Sequence, residues 1–367
     1  MPDTDASLVA DPSVLFEHPE YHAHEQIVFC HDRATGLKAI IGIHDTTLGP
    51  ALGGTRMWNY PSDAEALRDV LRLSRGMTYK AAISGLGLGG GKAVIIGDSR
   101  KEKSPEMMEA FGRYVDGLSG RYITAEDVGI DPQDMIAVGR QTRHVTGIPE
   151  EMGGSGDPSP VTAYGVYQGI QAAAAFHWGN ASLKDKRILV QGVGHVGETL
   201  VRYLTEADAE VLVSDIHADR LELMKDTYGA RIVEVDRVYE TPMDIYAPCA
   251  LGATLNDASI FSLSCSVIAG AANNQLAEEE KHGHMLMKKG ITYAPDFLVN
   301  AGGLINVYSE IASYDRKEIM SRTEEIRRTT YEVLERSARE GVPAQNIAKK
   351  IAEERIHSMR SSKAGSN

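Results

Sequence analysis

Two kinds of hydrophobic spacing alternate along the first part of the chain. Residues 25–45, EQIVFCHDRATGLKAIIGIHD, carry β-branched and aromatic positions on both sides of Thr35-Gly36, which predicts two strands joined by a turn. Residues 62–82 change to helical spacing, with Leu67, Val70, Leu71 and Ser74 on one stripe. Ser62 followed by Glu65 is a capping box that marks the start of this helix and puts Lys80 near its end. After the glycine-rich stretch GLGLGGGK, the apolar string Ala93-Val94-Ile95-Ile96 predicts a strand with Lys92 at its start. A further strand, RYITAEDVG, ends in the acidic pair Glu126 and Asp127.

The pattern shifts at MGGSGDPSPVTAYG, residues 152–165, a Gly/Ser/Pro cluster that reads as a hinge or linker. VTAYGVYQGIQAAAAF begins a helix. From Arg187 onward the strands RILVQ, AEVLVSD, ARIVEVD, DIYAP, SVIAG and GITYAP alternate with helical stretches, the signature of a parallel sheet with helices on its faces. From about Lys317 to Met359 two charged amphipathic helices follow, broken near Gly341-Val342-Pro343. The pattern predicts an α/β protein of two domains, residues 1–150 and 151–339, and 367 residues exceed what one hydrophobic core comfortably serves.

Composition narrows the function classes. Hydrophobic content of 43% and charged content of 24% are ordinary for a globular enzyme. A net charge of −13 argues against nucleic acid or an anionic membrane as partner, since both would repel it. Cys30, Cys249 and Cys265 form no CxxC pair and fit buried thiols in a reducing compartment. The acidic first residues lack the basic and apolar regions of a signal peptide, and no apolar run approaches membrane-spanning length, so the expected location is cytoplasmic. His18, His22, His24 and Glu25, and likewise His282 and His284, have no second pair at ligand spacing; they read as solvated surface, and no metal site is expected.

RILVQGVGHVGETLVRYL places Gly192-x-Gly194-x-x-Gly197 after a predicted strand and at the opening of a helix. The first glycine permits a tight turn, the second admits a pyrophosphate, and the third lets helix and strand pack closely. Val193, His195 and Val196 fill the intervening positions, His195 facing solvent, and the helix N-terminus offers amides and a positive dipole end to phosphate. Asp215, at the end of the next strand, can accept the ribose hydroxyls; it favours NAD over NADP, with Arg220 nearby leaving the second open. Given this fingerprint, the glycines before Lys92 need not bind phosphate. Ala93 also stands where a Walker A loop requires Ser or Thr. Small residues around Lys92 instead predict a tight, poorly hydrated site in which burial and a neighbouring cation, Lys80 being the candidate, lower the lysine pKa toward use as a base.

The ordered set GGTRMWNYPS, GMTYK, GLGLGGGK, TAEDVG, SGDPSPVTAYG, GAANNQL and NAGGLINV resembles the glutamate/leucine/phenylalanine/valine dehydrogenase family over nearly the whole chain, most closely its leucine-type members. The resemblance implies an N-terminal α/β substrate and oligomerisation domain and a Rossmann-type dinucleotide-binding domain with a cleft between them. The tail from about 340 to 367 would pack back on the first domain, and the subunits would form a homo-oligomer, an octamer in leucine-type members. It implies NAD-dependent oxidative deamination of an amino acid to a 2-oxo acid and ammonia.

Carried over by position, Lys80 would hold the substrate carboxylate, Lys92 would be the catalytic base, and Asp127 would shuttle protons at the amino group. Thr162 and Asn274 would lie near the nicotinamide carboxamide, and Cys249 and Ala250 along the cofactor, the Cys249 sulfur having no chemical role. Leu52, Gly53, Gly54, Met77, Ala125, Leu304 and Val307 fall on substrate-binding positions. Glutamate-type members carry a lysine where Leu52 stands and a hydroxyl where Val307 stands, so a side-chain carboxylate would be buried here unpaired. Ala125 resembles leucine-type members and Leu304 phenylalanine-type members. Because the Ala125 methyl should crowd a ring, branched-chain substrates are expected, with leucine first and valine and isoleucine overlapping. A phenylalanine-type activity, or a non-catalytic NAD-binding relative, is the alternative.

Overall fold

The structure is a computed structural model that describes residues 15–149, 151 and 153–364. The chain falls into two compact units, residues up to 81 with 87–154 in the first and 82–86 with 155 onward in the second.

The first unit is built on strands β1 (Gln26–Asp32), β2 (Leu37–Asp45), β3 (Ala51–Trp58), β4 (Gly89–Ile96) and β5 (Tyr122–Glu126), in the order β1-β2-β4-β3-β5. The expected hairpin is present: β1 pairs antiparallel with β2 across Asp32↔Leu37, with Gly36 at a left-handed φ of 75°. Strands β3, β4 and β5 run parallel. Helix α1 (Asp63–Ile83) crosses from β3 to β4, and the Ser62 hydroxyl accepts the Glu65 amide at its start. Helices α2 (Pro105–Asp116) and α3 (Pro132–Gly139) start at side-chain caps, Ser104 and Asp131, each followed by proline.

Two apolar layers flank this sheet. Ala51, Met57, Ala93, Ile95 and Tyr122 pack on one face with Met108 and Phe111 of α2 and Met135 of α3. The register Leu52↔Gly90, Gly54↔Ala125 and Arg56↔Val94 then puts Leu52, Gly54, Arg56, Gly90, Lys92, Val94 and Ala125 on the opposite face. Helix α1 covers that face, with Ala66, Leu67, Val70 and Leu71 against Val94. Three glycines ahead of Lys92 therefore belong to β4 and not to a loop. They are demanded by close approach: a Cβ on Gly90 would lie 2.1 Å from the Thr78 backbone nitrogen in α1, and one on Gly53 1.7 Å from the Gly91 carbonyl oxygen.

The histidines near β1 correct the expectation of solvated surface. His18 and His24 are buried, while His22 and Glu25 are exposed. The His24 ring sits within hydrogen-bond distance of the Leu71 carbonyl (3.0 Å) and the Ser74 hydroxyl (3.1 Å), so it serves the packing of α1.

The second unit holds a six-stranded, wholly parallel sheet of β6 (Arg187–Gln191), β7 (Glu210–Ser214), β8 (Arg231–Ile232), β9 (Ile245–Pro248), β10 (Val267–Ile268) and β11 (Thr292–Tyr293), in the order β11-β10-β9-β6-β7-β8. Counted from β6, this is the doubly wound order 3-2-1-4-5-6, which reverses between β6 and β9. Helices α4 (Ser159–Trp178), α5 (His195–Glu206), α6 (Ala218–Tyr228), α7 (Asp257–Ser262), α8 (Glu279–Lys289) and α9 (Asp296–Val299) belong to this unit. So do α10 (Gly302–Ala312), α11 (Arg316–Glu340) and α12 (Ala344–Ala364), and the expected break between the last two falls at Gly341, with φ 67°. Arg355 of α12 donates to the carbonyls of Ala82 and Ile83, and Lys349 pairs with Glu279. No helix among the described residues is long and apolar enough to cross a membrane.

Candidate active site

In the first unit the decisive side chain is Lys92. It sits midway along β4 with 6% of its surface exposed, and its ammonium meets the Asp127 carboxylate just beyond the end of β5. A lysine this enclosed is destabilised as a cation. Burial moves its pKa below the ordinary lysine range, Asp127 opposes that, and the Arg56 guanidinium adds to it. For Asp127 burial pushes upward, but Lys92 and Arg56 outweigh it and hold the carboxylate below its usual range. Arg56, 3.3 Å from Asp127, is a cation on this pair that the sequence did not bring forward. Lys80 and Met77 are half-buried near the C-terminal end of α1. Leu52 and Ala125 are buried on the Lys92 face of the sheet, 2% and 8% exposed. The Gly53 carbonyl accepts the Tyr122 hydroxyl at 2.6 Å, and a Cβ on Gly54 would meet the Glu126 carbonyl at 2.5 Å.

In the second unit the glycine fingerprint lies where the strand order reverses. Gly192 follows β6, and Cys249-Ala250 follows the adjacent β9; the Cys249 amide donates to the Gln191 carbonyl at 2.7 Å. A Cβ on Gly192 would lie 2.7 Å from that of Ala250, and one on Gly197 1.9 Å from the Gly192 oxygen, so this turn closes only with glycine. Gly194 faces open space, with Arg220 at 3.7 Å the nearest group, and no side chain caps α5. Uncapped amides beside a glycine with room above it fit a dinucleotide pyrophosphate. Val193 is buried, Val196 half-buried, and the His195 ring faces solvent as expected.

Asp215, one residue past β7, accepts the Val193 amide at 2.8 Å and the His217 amide at 2.9 Å. Burial pushes its pKa upward, but these amides and Arg220 together outweigh it and hold the carboxylate below its usual range. Asn274 is exposed at a left-handed φ of 52°, beyond the end of β10. Thr162, in the first turn of α4, donates to the Pro158 carbonyl and packs against Gly303. Leu304 (buried) and Val307 (half-buried) stand one turn apart on α10. Burial pushes the Cys249 thiol up to about 12, which leaves it protonated and unreactive at neutral pH.

Comparison with known proteins decides the family. Residues 24–144 match the Glu/Leu/Phe/Val dehydrogenase dimerisation domain, and 153–219 and 215–363 match Glutamate/Leucine/Phenylalanine/Valine dehydrogenase. The chain belongs to this family. Leucine dehydrogenase of Bacillus subtilis (strain 168) is 54% identical over 350 residues, 95% of this chain and 96% of that protein. Phenylalanine dehydrogenase of Thermoactinomyces intermedius is 45% identical over 344 residues, 93% of this chain and 94% of that protein. The crystal structure of L-tryptophan dehydrogenase from Nostoc punctiforme superimposes with a TM-score of 0.85 at 44% identity, covering 95% of this chain and 100% of that one.

As a member of the Glu/Leu/Phe/Val dehydrogenase family the chain is an amino acid dehydrogenase, an oxidoreductase of a family that works with nicotinamide cofactors. Three residues join the candidate site that the sequence did not single out: Arg56, Asp69 and Tyr60. Arg56 and Tyr60 stand in the GGTRMWNYPS motif, which was a signal for both; Asp69 had none beyond its charge.

His282 is a second correction to the solvated-surface reading, being 1% exposed, while His284 is exposed. Its ring and the carboxylates of Asp257 and Glu278 bring ligand atoms within 4.8 Å of one another. Yet Nδ1 accepts the Glu278 amide at 2.8 Å, so the neutral ring carries its proton on Nε2, which faces Asp257 Oδ1 at 3.5 Å. Lys281 already bridges both carboxylates, at 2.6 and 3.1 Å. In this structure the group is an ion-pair cluster centred on Lys281.

Proposed function

We propose that the protein oxidatively deaminates branched-chain L-amino acids, leucine foremost and valine and isoleucine with it, to 2-oxo acids and ammonia with NAD. In this reading the first unit takes the amino acid and the second the dinucleotide. The observation that carries it is the buried Lys92–Asp127 pair on the same sheet face as apolar Leu52 and Ala125. A buried lysine with a lowered pKa beside a charged carboxylate is equipped to exchange protons.

Lys80 takes the substrate α-carboxylate, and Asp127 accepts a proton from the substrate amino group. The bound nicotinamide supplies the hydride acceptor. Neutral Lys92 then removes a proton from water as its oxygen bonds to the iminium carbon. Asp127 returns a proton to the nitrogen, and the carbon–nitrogen bond breaks as ammonia leaves and the carbinolamine hydroxyl gives its proton to Lys92, which has by then released the first water proton to solvent. Water supplies the keto oxygen, and the sequence reverses for reductive amination.

Asp215 supports NAD over NADP, because a 2′-phosphate would meet its carboxylate. The cofactor loop is assigned Gly192 to Gly197, Cys249-Ala250, Thr162 and Asn274. The substrate side chain is assigned Leu52, Ala125, Leu304 and Val307, with Gly53, Gly54 and Met77 shaping the backbone around it. All four side chains are apolar, so a glutamate carboxylate would be buried without a partner, at a cost of roughly 2–7 kcal/mol. A homo-oligomer is part of the reading, supported by the match of residues 24–144 to a dimerisation domain.

Lys92→Ala tests the mechanism. Turnover is expected to fall by about 10²–10⁴-fold, the share typical of a general base, with the protein still folded. Wild-type turnover in that variant would refute the assignment of the base.

A further inference from the structure

Arg56 lies on the Lys92 face of the sheet, and its guanidinium reaches two carboxylates at once. Nη1 is 3.1 Å from Asp69 Oδ2, and Nη2 is 3.3 Å from Asp127 Oδ2, the same oxygen that takes the Lys92 ammonium. Asp69, on α1, is held in turn: the Tyr60 hydroxyl donates to Oδ2 at 2.7 Å and Arg72 lies 3.2 Å from Oδ1. The side chains of Arg56, Asp69 and Asp127 are 25%, 15% and 22% exposed, so solvent screens this chain of contacts only in part.

We propose that Arg56, anchored by Asp69 and Tyr60, is a positioning residue for the reaction, holding the Asp127 carboxylate between two cations so that Lys92 is not locked to it. This inference rests on the reading of Lys92 and Asp127 given above and adds the group that orients them. The geometry favours arginine for the task, since a planar fork with two donor edges holds two carboxylates in a fixed relative orientation, which the freely rotating point charge of a lysine does not.

The charged and titratable groups around the pair come from every neighbouring element. They are Arg56 from β3, Lys92 from β4, Tyr122 from β5 and Asp127 beyond it, Asp69 and Arg72 from α1, and Tyr60 from the segment between β3 and α1. Glu65 and Arg68 line the same hollow as Arg56, Asp69 and Arg72. Arg56 presses the pKa of Lys92 and that of Asp127 in one direction, downward, so neutral Lys92 beside charged Asp127 is reached at lower pH. Without Arg56 both values rise, and the working state is confined to higher pH.

The pH dependence of kcat/KM for amino acid oxidation in wild type, Arg56→Gln and Arg56→Lys tests this. In Arg56→Gln the acidic limb is expected to move up by about one pH unit, the size of a close charge effect. In Arg56→Lys, which keeps the charge but not the fork, the limb is expected to stay while kcat falls by about tenfold to a hundredfold, as for a misplaced catalytic group. An Arg56→Gln limb that coincides with that of wild type overturns the proposal, whatever the rate. Should Arg56→Gln fail to fold, Arg56→Lys carries the test, and an undiminished kcat overturns it. Lys92→Ala separates the two levels: full turnover there defeats the reading of the site itself, whereas an inactive Lys92→Ala with an unmoved Arg56→Gln limb defeats only this inference.

Discussion

A buried lysine is ordinarily a liability, because removing an ammonium from water costs several kcal/mol unless a counter-charge faces it. At Lys92 the counter-charge is Asp127, and Arg56 prevents that pair from being an isolated one. The neighbouring positions give this polar centre an apolar wall. Ala125 pairs with Gly54 across β5 and β3, 8% exposed, so its methyl stands on the Lys92 face with little room to withdraw. Ala125→Gly removes that methyl and is expected to raise kcat/KM for phenylalanine relative to leucine by about tenfold, at the lower end of what a single methyl or methylene decides. Steady-state rates with both substrates check it; an unchanged ratio would remove Ala125 from the specificity wall. Lys80, Lys92 and Asp127, to which the proposed mechanism gives the chemistry, were legible because they stand in ordered motifs. Arg56 stands in such a motif as well, but the motif did not show its contacts, which depend on the carboxylates that the fold brings within 3.3 Å.

Among the elements, β3 shows most clearly what sequence patterning hides. Its Gly53-Gly54 step weakens strand propensity, so ALGGTRMW reads as a motif without a secondary structure. The glycines are there because the neighbouring strand backbone and the Glu126–Asp127 turn press against them. Gly89 to Gly91 in β4 deceive in the opposite sense, looking like a loop while forming ladder pairs with β3 and β2. Helices α2 and α3 carry readable starts, Ser104-Pro105 and Asp131-Pro132, that the hydrophobic pattern alone did not bring forward. The alternation in the second unit was legible in full, although β8, β10 and β11 prove to be only two residues long. The glycine argument has a measurable consequence at Gly90. Gly90→Ala puts a methyl against the Thr78 backbone nitrogen and should push α1, with Lys80 on it, off the sheet. A loss of about 1–3 kcal/mol of stability is expected, as for overpacked cores, with a raised KM for the amino acid. An unchanged thermal midpoint and KM would contradict the close approach.

At the scale of the whole molecule, each unit is built on its own sheet: a mixed one that carries the Lys92 face, and a parallel one that reverses between β6 and β9. Family membership follows from nearly the full chain, but relatives named for leucine, phenylalanine and tryptophan share 54%, 45% and 44% identity with it. The fold they have in common does not by itself choose among substrates. The central claim is therefore about substrate, and one measurement bears on it most directly: kcat/KM for NAD reduction with L-leucine, L-valine, L-isoleucine, L-phenylalanine, L-tryptophan and L-glutamate under one set of conditions. The account expects the three branched-chain amino acids to lead, the aromatic ones to trail, and glutamate to give no measurable rate. A preference for an aromatic amino acid or for glutamate, or no turnover of any of the six, would contradict it.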